Sequence, residues 1–159
     1  MQVVIACVGK IREKGLRGAA DEYLKRLGRF GRVEETEVPD LPEPENAGEA
    51  LCRQVVDKEG ERLLARIKPG DYVIALAIGG RRYTSETFAA RLQALEDQGR
   101  GRLVFVIGGS LGLSPAMLSR ADETLSLSDM TFPHPLARVL LLEQLYRACK
   151  INHHERYHK

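Results

Sequence analysis

The sequence predicts an α/β fold, a mostly parallel sheet with helices on both faces. Three observations predict it. Short β-branched apolar runs alternate with segments of helical periodicity along the chain. The runs place apolar residues at consecutive positions, as strands covered on both faces do. Glycine turns follow several of the runs directly and lead into residues that suit a helix start.

Residues 3–8, VVIACV, are the first run, and residues 15–27 carry Leu16, Ala19, Ala20, Tyr23, Leu24 and Leu27 at helical spacing. A short strand is expected over 33–38. The segment PDLPEPENAG, 39–48, holds three prolines and several acids, so a mobile loop is expected there. A helix through Leu51, Val55, Leu63, Leu64 and Ile67 then follows, closed by Pro69-Gly70. Residues 72–78, YVIALAI, read as a buried strand turned by Gly79-Gly80, and Thr84 or Ser85 can cap a helix containing Phe88, Leu92 and Leu95. Residues 103–107, LVFVI, run into Gly108, Gly109 and Gly112, after which Ser114-Pro115 suits an N-cap and first helical position. A short helix, a strand around 124–127 and a last helix over roughly 135–150 complete the chain. The apolar residues of that last helix, from Leu136 to Cys149, span more of its circumference than one core-facing stripe needs. Either a second copy across a two-fold axis covers the excess or the monomer buries it all.

At 159 residues the chain suits one domain, 1–159. Its 43% hydrophobic and 29% charged content is that of a soluble protein, and no apolar run reaches membrane-spanning length. The opening MQVVIACVGK is too short and too poor in positive charge for a signal peptide, so a cytoplasmic protein is expected. Cys7, Cys52 and Cys149 are scattered without a C-x-x-C pair, which argues against disulfides and a thiolate metal site. His154 and His158 are four apart, but no cysteine or nearby carboxylate completes a tetrahedral set, so no metal is expected. The formal charge of +2 does not announce nucleic acid, although the end of the chain is basic: Arg147, Lys150, Arg156 and Lys159 stand against Glu155 alone.

Chemistry is expected at the C-terminal ends of the strands, where open α/β sheets bind ligands. The glycine turn at 108–112 is neither a Walker phosphate loop nor a dinucleotide fingerprint, since both spacings fail. It either admits some other ligand or lets a strand turn sharply onto a helix. The loop LSLSDMTFPHPLAR, 125–138, is stiffened by prolines that leave carbonyls free; it can hold an adenine edge through main-chain atoms or serve as a rigid connector. Glu143 and Arg147 have the spacing of a helical ion pair.

The segments VGKIREK, EYLKRLGRF, FVIGGSLGL, LSDMTFPHPLARVLLLEQLYRA and YHK, in this order over nearly the whole length, resemble the RlmH family (ribosomal RNA large subunit methyltransferase H) of the SPOUT-class methyltransferases. The resemblance implies a C-terminal trefoil knot, a homodimer, S-adenosylmethionine as cofactor, and methylation at N3 of pseudouridine 1915 of large-subunit rRNA on the assembled ribosome. It implies cofactor contacts from Leu76, Gly108, Leu127, Ser128, Asp129, Met130, Thr131 and Phe132. Gly108 would let the backbone close to the cofactor, so Gly108→Val is expected to abolish binding while sparing the fold. By reach, Tyr157, His158 and Glu143 are the candidates for a catalytic role, as a base at N3 or, for Tyr157, as a ring stacked on an RNA base. Arg138, Arg147 and Lys159 are expected at RNA phosphates, and His134 beside the cofactor run. Lys159 stands where some members carry Arg, which weakens any bidentate role there. Two rivals are an RNA-binding or ribosome-assembly module without transferase activity, and a nucleotide-dependent oxidoreductase that would need the missing fingerprint.

Overall fold

The computed structural model describes residues 1–159 apart from Pro44 and Ala47, so part of the expected proline-rich loop lies outside the described residues. The elements run β1 (Gln2–Val8), α1 (Lys14–Leu27), β2 (Arg32–Val38), α2 (Glu49–Leu64), β3 (Tyr72–Arg82), α3 (Ser85–Asp97), β4 (Leu103–Ile107), α4 (Pro115–Arg120), β5 (Glu123–Ser126) and α5 (His134–Asn152). The five strands form one sheet in the order β2-β1-β4-β3-β5, and every neighbouring pair is parallel. This is the expected α/β class.

The consecutive apolar residues of the strands serve two faces because side chains alternate along a strand. Val3, Ile5 and Cys7 of β1 and Leu103, Phe105 and Ile107 of β4 pack under α1, α3 and α5. Val4, Ala6 and Val8 with Val104 and Val106 face the other way, against Leu63 of α2 and Met117 of α4. Each Val, Leu, Ile, Phe or Met among them, taken fully from water, stabilises by about 1.5–3 kcal/mol.

Two helix starts follow the local signals. Ser114 Oγ accepts from Met117 N–H at 3.1 Å with Pro115 behind it, and Thr84 with Thr87 forms a reciprocal capping box on α3. Two boundaries differ from the sequence reading. α2 stops at Leu64, ahead of Pro69-Gly70, where Arg66 and Ile67 N–H groups turn back to Leu63 and Leu64 carbonyls. β3 does not end at Gly79-Gly80: Leu76 and Arg81 both pair with Leu125, so residues 77–80 bulge outward and the strand resumes. Gly79 has φ +84°, and a Cβ on Gly80 would lie 3.0 Å from the Leu125 backbone, so the glycines serve the bulge.

α5 lies on β4 between α1 and α3, which bury its Val139, Leu142, Leu145, Tyr146 and Cys149. Its broad apolar arc is therefore largely covered within one chain, and the arc by itself gives no reason for a second copy. α5 also closes the molecule. β5 is at one edge of the sheet, yet Arg138, in the second turn of α5, bonds to Glu35 and Glu37 of β2 at the opposite edge. The connection 127–133 thus crosses the C-terminal ends of the strands. Among the described residues, no helix is long and apolar enough to cross a membrane.

Candidate active site

All parallel strands discharge their chains on one edge, so the loops after β1, β2, β3, β4 and β5 gather there. Between the β3–α3 connection, the end of β5 and the outer face of α5 lies a pocket of about 270 Å³. Tyr83, Ser85 and Phe88 form one wall, Leu125, Ser126, Leu127 and Phe132 another, and Leu140, Leu141 and Gln144 the third. Apolar walls with a few polar groups are the usual make-up of a small-molecule site.

Of the eight residues expected at a cofactor, Leu127 and Phe132 line this pocket. Leu76 is placed beside it by pairing with Leu125. Ser128 shapes the loop: Ser126 Oγ donates to its carbonyl at 2.9 Å, and its own Oγ accepts from Met130 N–H at 3.0 Å. Asp129 faces solvent and pairs with Arg82 at 2.7 Å, while Thr131 is exposed and Met130 is 75% exposed, an unusual state for so apolar a side chain. Gly108 stands across the strand ends at the close of β4. A Cβ there would meet Gly112 O at 2.8 Å and Leu113 Cδ2 at 3.0 Å. The glycine is required by its own turn, so the expectation that Gly108→Val spares the local fold is corrected: valine would force the turn open.

Tyr157, His158 and Glu143 come together with Arg147 (Arg147 Nε–Glu143 Oε1 3.0 Å). Tyr157 Oη donates to Glu143 Oε1 at 3.1 Å, and the Arg147 guanidinium lies 4.7 Å over the Tyr157 ring, whose edge meets Tyr146. His158 Nδ1 is 3.2 Å from Arg147 Nη1 and Nε2 is 2.7 Å from Glu86 Oε1. Arg147 can only donate, so Nδ1 accepts and the proton is assigned to Nε2, facing Glu86. The partnership holds the Glu86 carboxyl below its ordinary range, first through the His158 hydrogen bond. Burial, then hydrogen bonds to Tyr23 and Glu143, push the Tyr157 phenol far up. In this arrangement Tyr157 keeps its proton at neutral pH and Glu143 Oε1 is already saturated by donors.

Sequence reasoning missed the link between these groups and the pocket. Gln144 Nε2 donates to Glu143 Oε2 at 2.8 Å while its Oε1 accepts from Ser85 Oγ at 2.9 Å. The pocket wall and the tail network therefore share Gln144, with Ser85 and Glu86 at the first turn of α3. A signal existed, since Gln144 lies four residues after Leu140 on the same helical face, but Ser85 and Glu86 are about sixty residues away and nothing local connects them.

Arg138 is corrected outright. Its side chain is 0% exposed, with Nη1 on Glu35 at 3.1 Å and Glu37 at 2.7 Å and Nη2 on the Gly9 carbonyl at 3.0 Å. Glu35 is shared with Arg17 at 2.6 Å. No phosphate can reach this guanidinium; it fastens α5 to the ends of β1 and β2. His134 is half-buried near Gly9, and burial followed by the Arg138 charge lowers its pKa, so it is neutral at pH 7. Lys159 is exposed. His154 and His158 do not share a helical face, because α5 stops at Asn152, and among the described residues no three His, Cys, Asp or Glu side chains converge as metal ligands would.

Comparison with known proteins bears on this geometry. The family model described as "Predicted SPOUT methyltransferase" matches residues 1–158. The chain is 55% identical to the ribosomal RNA large subunit methyltransferase H of Bifidobacterium animalis subsp. lactis, over 100% of both chains. It is 51% identical to the protein of the same name from Exiguobacterium sibiricum, again over 100% of both. Among solved structures, a probable methyltransferase from Bordetella pertussis superimposes with a TM-score of 0.55 at 19% identity, covering 93% of this chain and 96% of that one, which speaks for the fold.

Proposed function

Because the chain belongs to the SPOUT methyltransferases, in their ribosomal RNA large subunit methyltransferase H family, we propose that it methylates N3 of a pseudouridine in large-subunit rRNA. The observation that carries this reading is similarity over the full length of relatives bearing that name, joined to a pocket that meets the tail network through Gln144. The site of action is the assembled ribosome in the cytoplasm, and the whole chain, 1–159, works as one domain.

S-adenosylmethionine fits the donor set. The pocket gives apolar walls to an adenosine, and the 126–130 turn presents main-chain groups to its edge. When bound, the cofactor supplies an electrophilic sulfonium methyl group. Leu127, Phe132 and the backbone of 127–132 hold it, with Leu76 and Gly108 shaping the floor. The protein's share of the rate is then mostly alignment, bringing N3 in line with the methyl group. Tyr157 and Arg147 form a platform two hydrogen bonds from the pocket, through Glu143 and Gln144, and Lys159 beyond them meets the phosphate chain. Once RNA draws His158 away from Arg147, the lone pair on its Nδ1 is the group best suited to take the N3 proton.

The crossing of the connection 127–133 from one sheet edge to the other supports a trefoil knot formed by passage of α5 behind the strand ends. We also assign a homodimer, on the family relation alone.

The test is methyl transfer from labelled cofactor, with calorimetry of cofactor binding in parallel. Intact ribosomal particles should be modified, and free rRNA only slowly, because a chain of formal charge +2 gains little from naked phosphates. Deleting residues 156–159 should leave cofactor affinity within about twofold and reduce transfer by about 10² or more. No transfer to particles by the intact chain defeats the reading and favours a binding module.

A further inference from the structure

We propose that the β1–α1 loop and the first residue of α1 form a preformed cationic ridge, Lys10, Arg12 and Lys14, that docks the enzyme on the phosphate backbone of its RNA; this rests on the rRNA reading above. With Arg138 buried and Arg147 held by Glu143, the phosphate contacts expected on α5 are largely unavailable. An RNA enzyme still needs cations near its pocket, and they must be exposed and unspent. Most arginines here are spent: Arg17, Arg26, Arg29, Arg82, Arg91, Arg102 and Arg120 all sit in ion pairs. Lys10, Arg12 and Lys14 are exposed, and none has an ion pair or side-chain hydrogen bond among the described residues. Glu13 is the one acid within this segment, and Asp40 stands at its foot, its carboxyl carbon 3.7 Å from a side-chain carbon built on Gly9.

The loop that displays them is rigid. Gly9 takes φ +82°, donates to Val38 O at 2.8 Å and gives its own carbonyl to Arg138, and Ile11, 7% exposed, plugs into the main core. Residues 10, 12 and 14 are thrown outward around that plug. A side-chain carbon built on Gly9 would lie 3.6 Å from His134 Cε1, so the ridge begins where the 127–133 loop joins α5. The ridge brings no evident stability of its own. Lys14 opens α1, the end at which the helix dipole disfavours a cation, and no side chain caps that end. A local rule broken without a structural gain marks function. Fixed cations on an ordered loop lose little freedom on docking, unlike those of a mobile tail.

The experiment compares the intact protein with Lys10→Gln/Arg12→Gln/Lys14→Gln, and with the control Lys25→Gln/Arg66→Gln/Arg100→Gln at the opposite end of the sheet. Steady-state methylation of ribosomal particles is measured across salt concentrations, with cofactor calorimetry, thermal unfolding and co-sedimentation with particles. The ridge variant should raise KM for particles by about tenfold or more near physiological salt and flatten the slope of log(kcat/KM) against log[salt] by about 2. Cofactor affinity should hold within about twofold and the Tm should stay level or rise. The control should match the unaltered protein. An unchanged KM, an equal effect of the control, or a raised KM with an unchanged salt slope overturns the proposal, the last pointing to a protein contact. Should the intact protein transfer no methyl group at all, the functional reading fails on its own, and co-sedimentation still decides the ridge.

Discussion

Arg138 is among the largest fully buried side chains, beside Phe105 and Leu142, and the only charged one in that company. Its guanidinium answers two carboxylates and a carbonyl, while its Nε is left without a partner, so the residue is held by charge and geometry rather than by full satisfaction. Arg138→Met should strand Glu37, leave Glu35 to Arg17 alone and cost about 3 kcal/mol, lowering the Tm by roughly 6–12 °C in a thermal scan. Arg138→Lys should recover only part, since a single ammonium cannot serve three acceptors in the same plane. A shift under about 2 °C for the methionine variant would show that the cluster tolerates Glu37 without its counter-charge. None of this was legible in the sequence. A lone arginine in a helical pattern reads as a surface residue, and its partners lie 101, 103 and 129 positions away. The same distance hid the proximity of Glu86 to His158, whereas the Glu143–Arg147 pair, one helical turn apart, was visible from spacing alone.

Elements were legible wherever their ends carry a local device. Thr84 and Ser114 cap the helices expected of them, and the apolar runs of β1, β2 and β4 match the strands within a residue. β3 was misjudged because a pair of glycines reads as a turn, and only the distant pairing with β5 reveals that the strand continues past it. Connections depend on such non-local partners too. Asp71, between α2 and β3, accepts from Arg102 Nε at 2.8 Å and Nη2 at 2.6 Å ahead of β4, and from Lys68 N–H at 2.7 Å. Burial raises this carboxyl, but Arg102 and the Lys68 N–H outweigh it and hold the carboxyl below its ordinary 3.8. A depressed folded value means stability that is present above the unfolded pKa and lost as the pH falls through the folded one. Asp71→Asn should therefore cost about 1–3 kcal/mol at pH 7 by urea unfolding, with the gap to the unaltered protein narrowing as the pH falls below the ordinary 3.8. An equal gap on both sides of that value would remove Asp71 from the acid response.

At the scale of the whole molecule, the sheet separates two functions. The face beneath α1, α3 and α5 carries the larger core and the pocket, while the face under α2 and α4 is a smaller apolar layer. Burial of α5 between two helices removes the sequence argument for a second copy, so the proposed dimer has to draw on other surface; Ile78 and Met130 are the two most exposed large apolar side chains among the described residues, ahead of Leu51 and Leu118. Sedimentation velocity should give twice the mass of one chain, and Ile78→Ser/Met130→Ser should shift the species toward the single chain without lowering the Tm by more than about 2 °C. A single-chain mass for the unaltered protein at micromolar concentration would exclude the dimer.

The clamp from α5 back to β2 also sets a clock on synthesis. Glu35 and Glu37 leave the ribosome about a hundred residues before the arginine that neutralises them, which at ordinary elongation rates is a delay of roughly 5–20 s. During that interval Glu37 lacks its counter-charge and β1 lacks the cover of α5, although Arg17 of α1 already answers Glu35. Final closure must therefore await the synthesis of α5, and a translation product truncated before Arg138 should be a ready target for proteolysis.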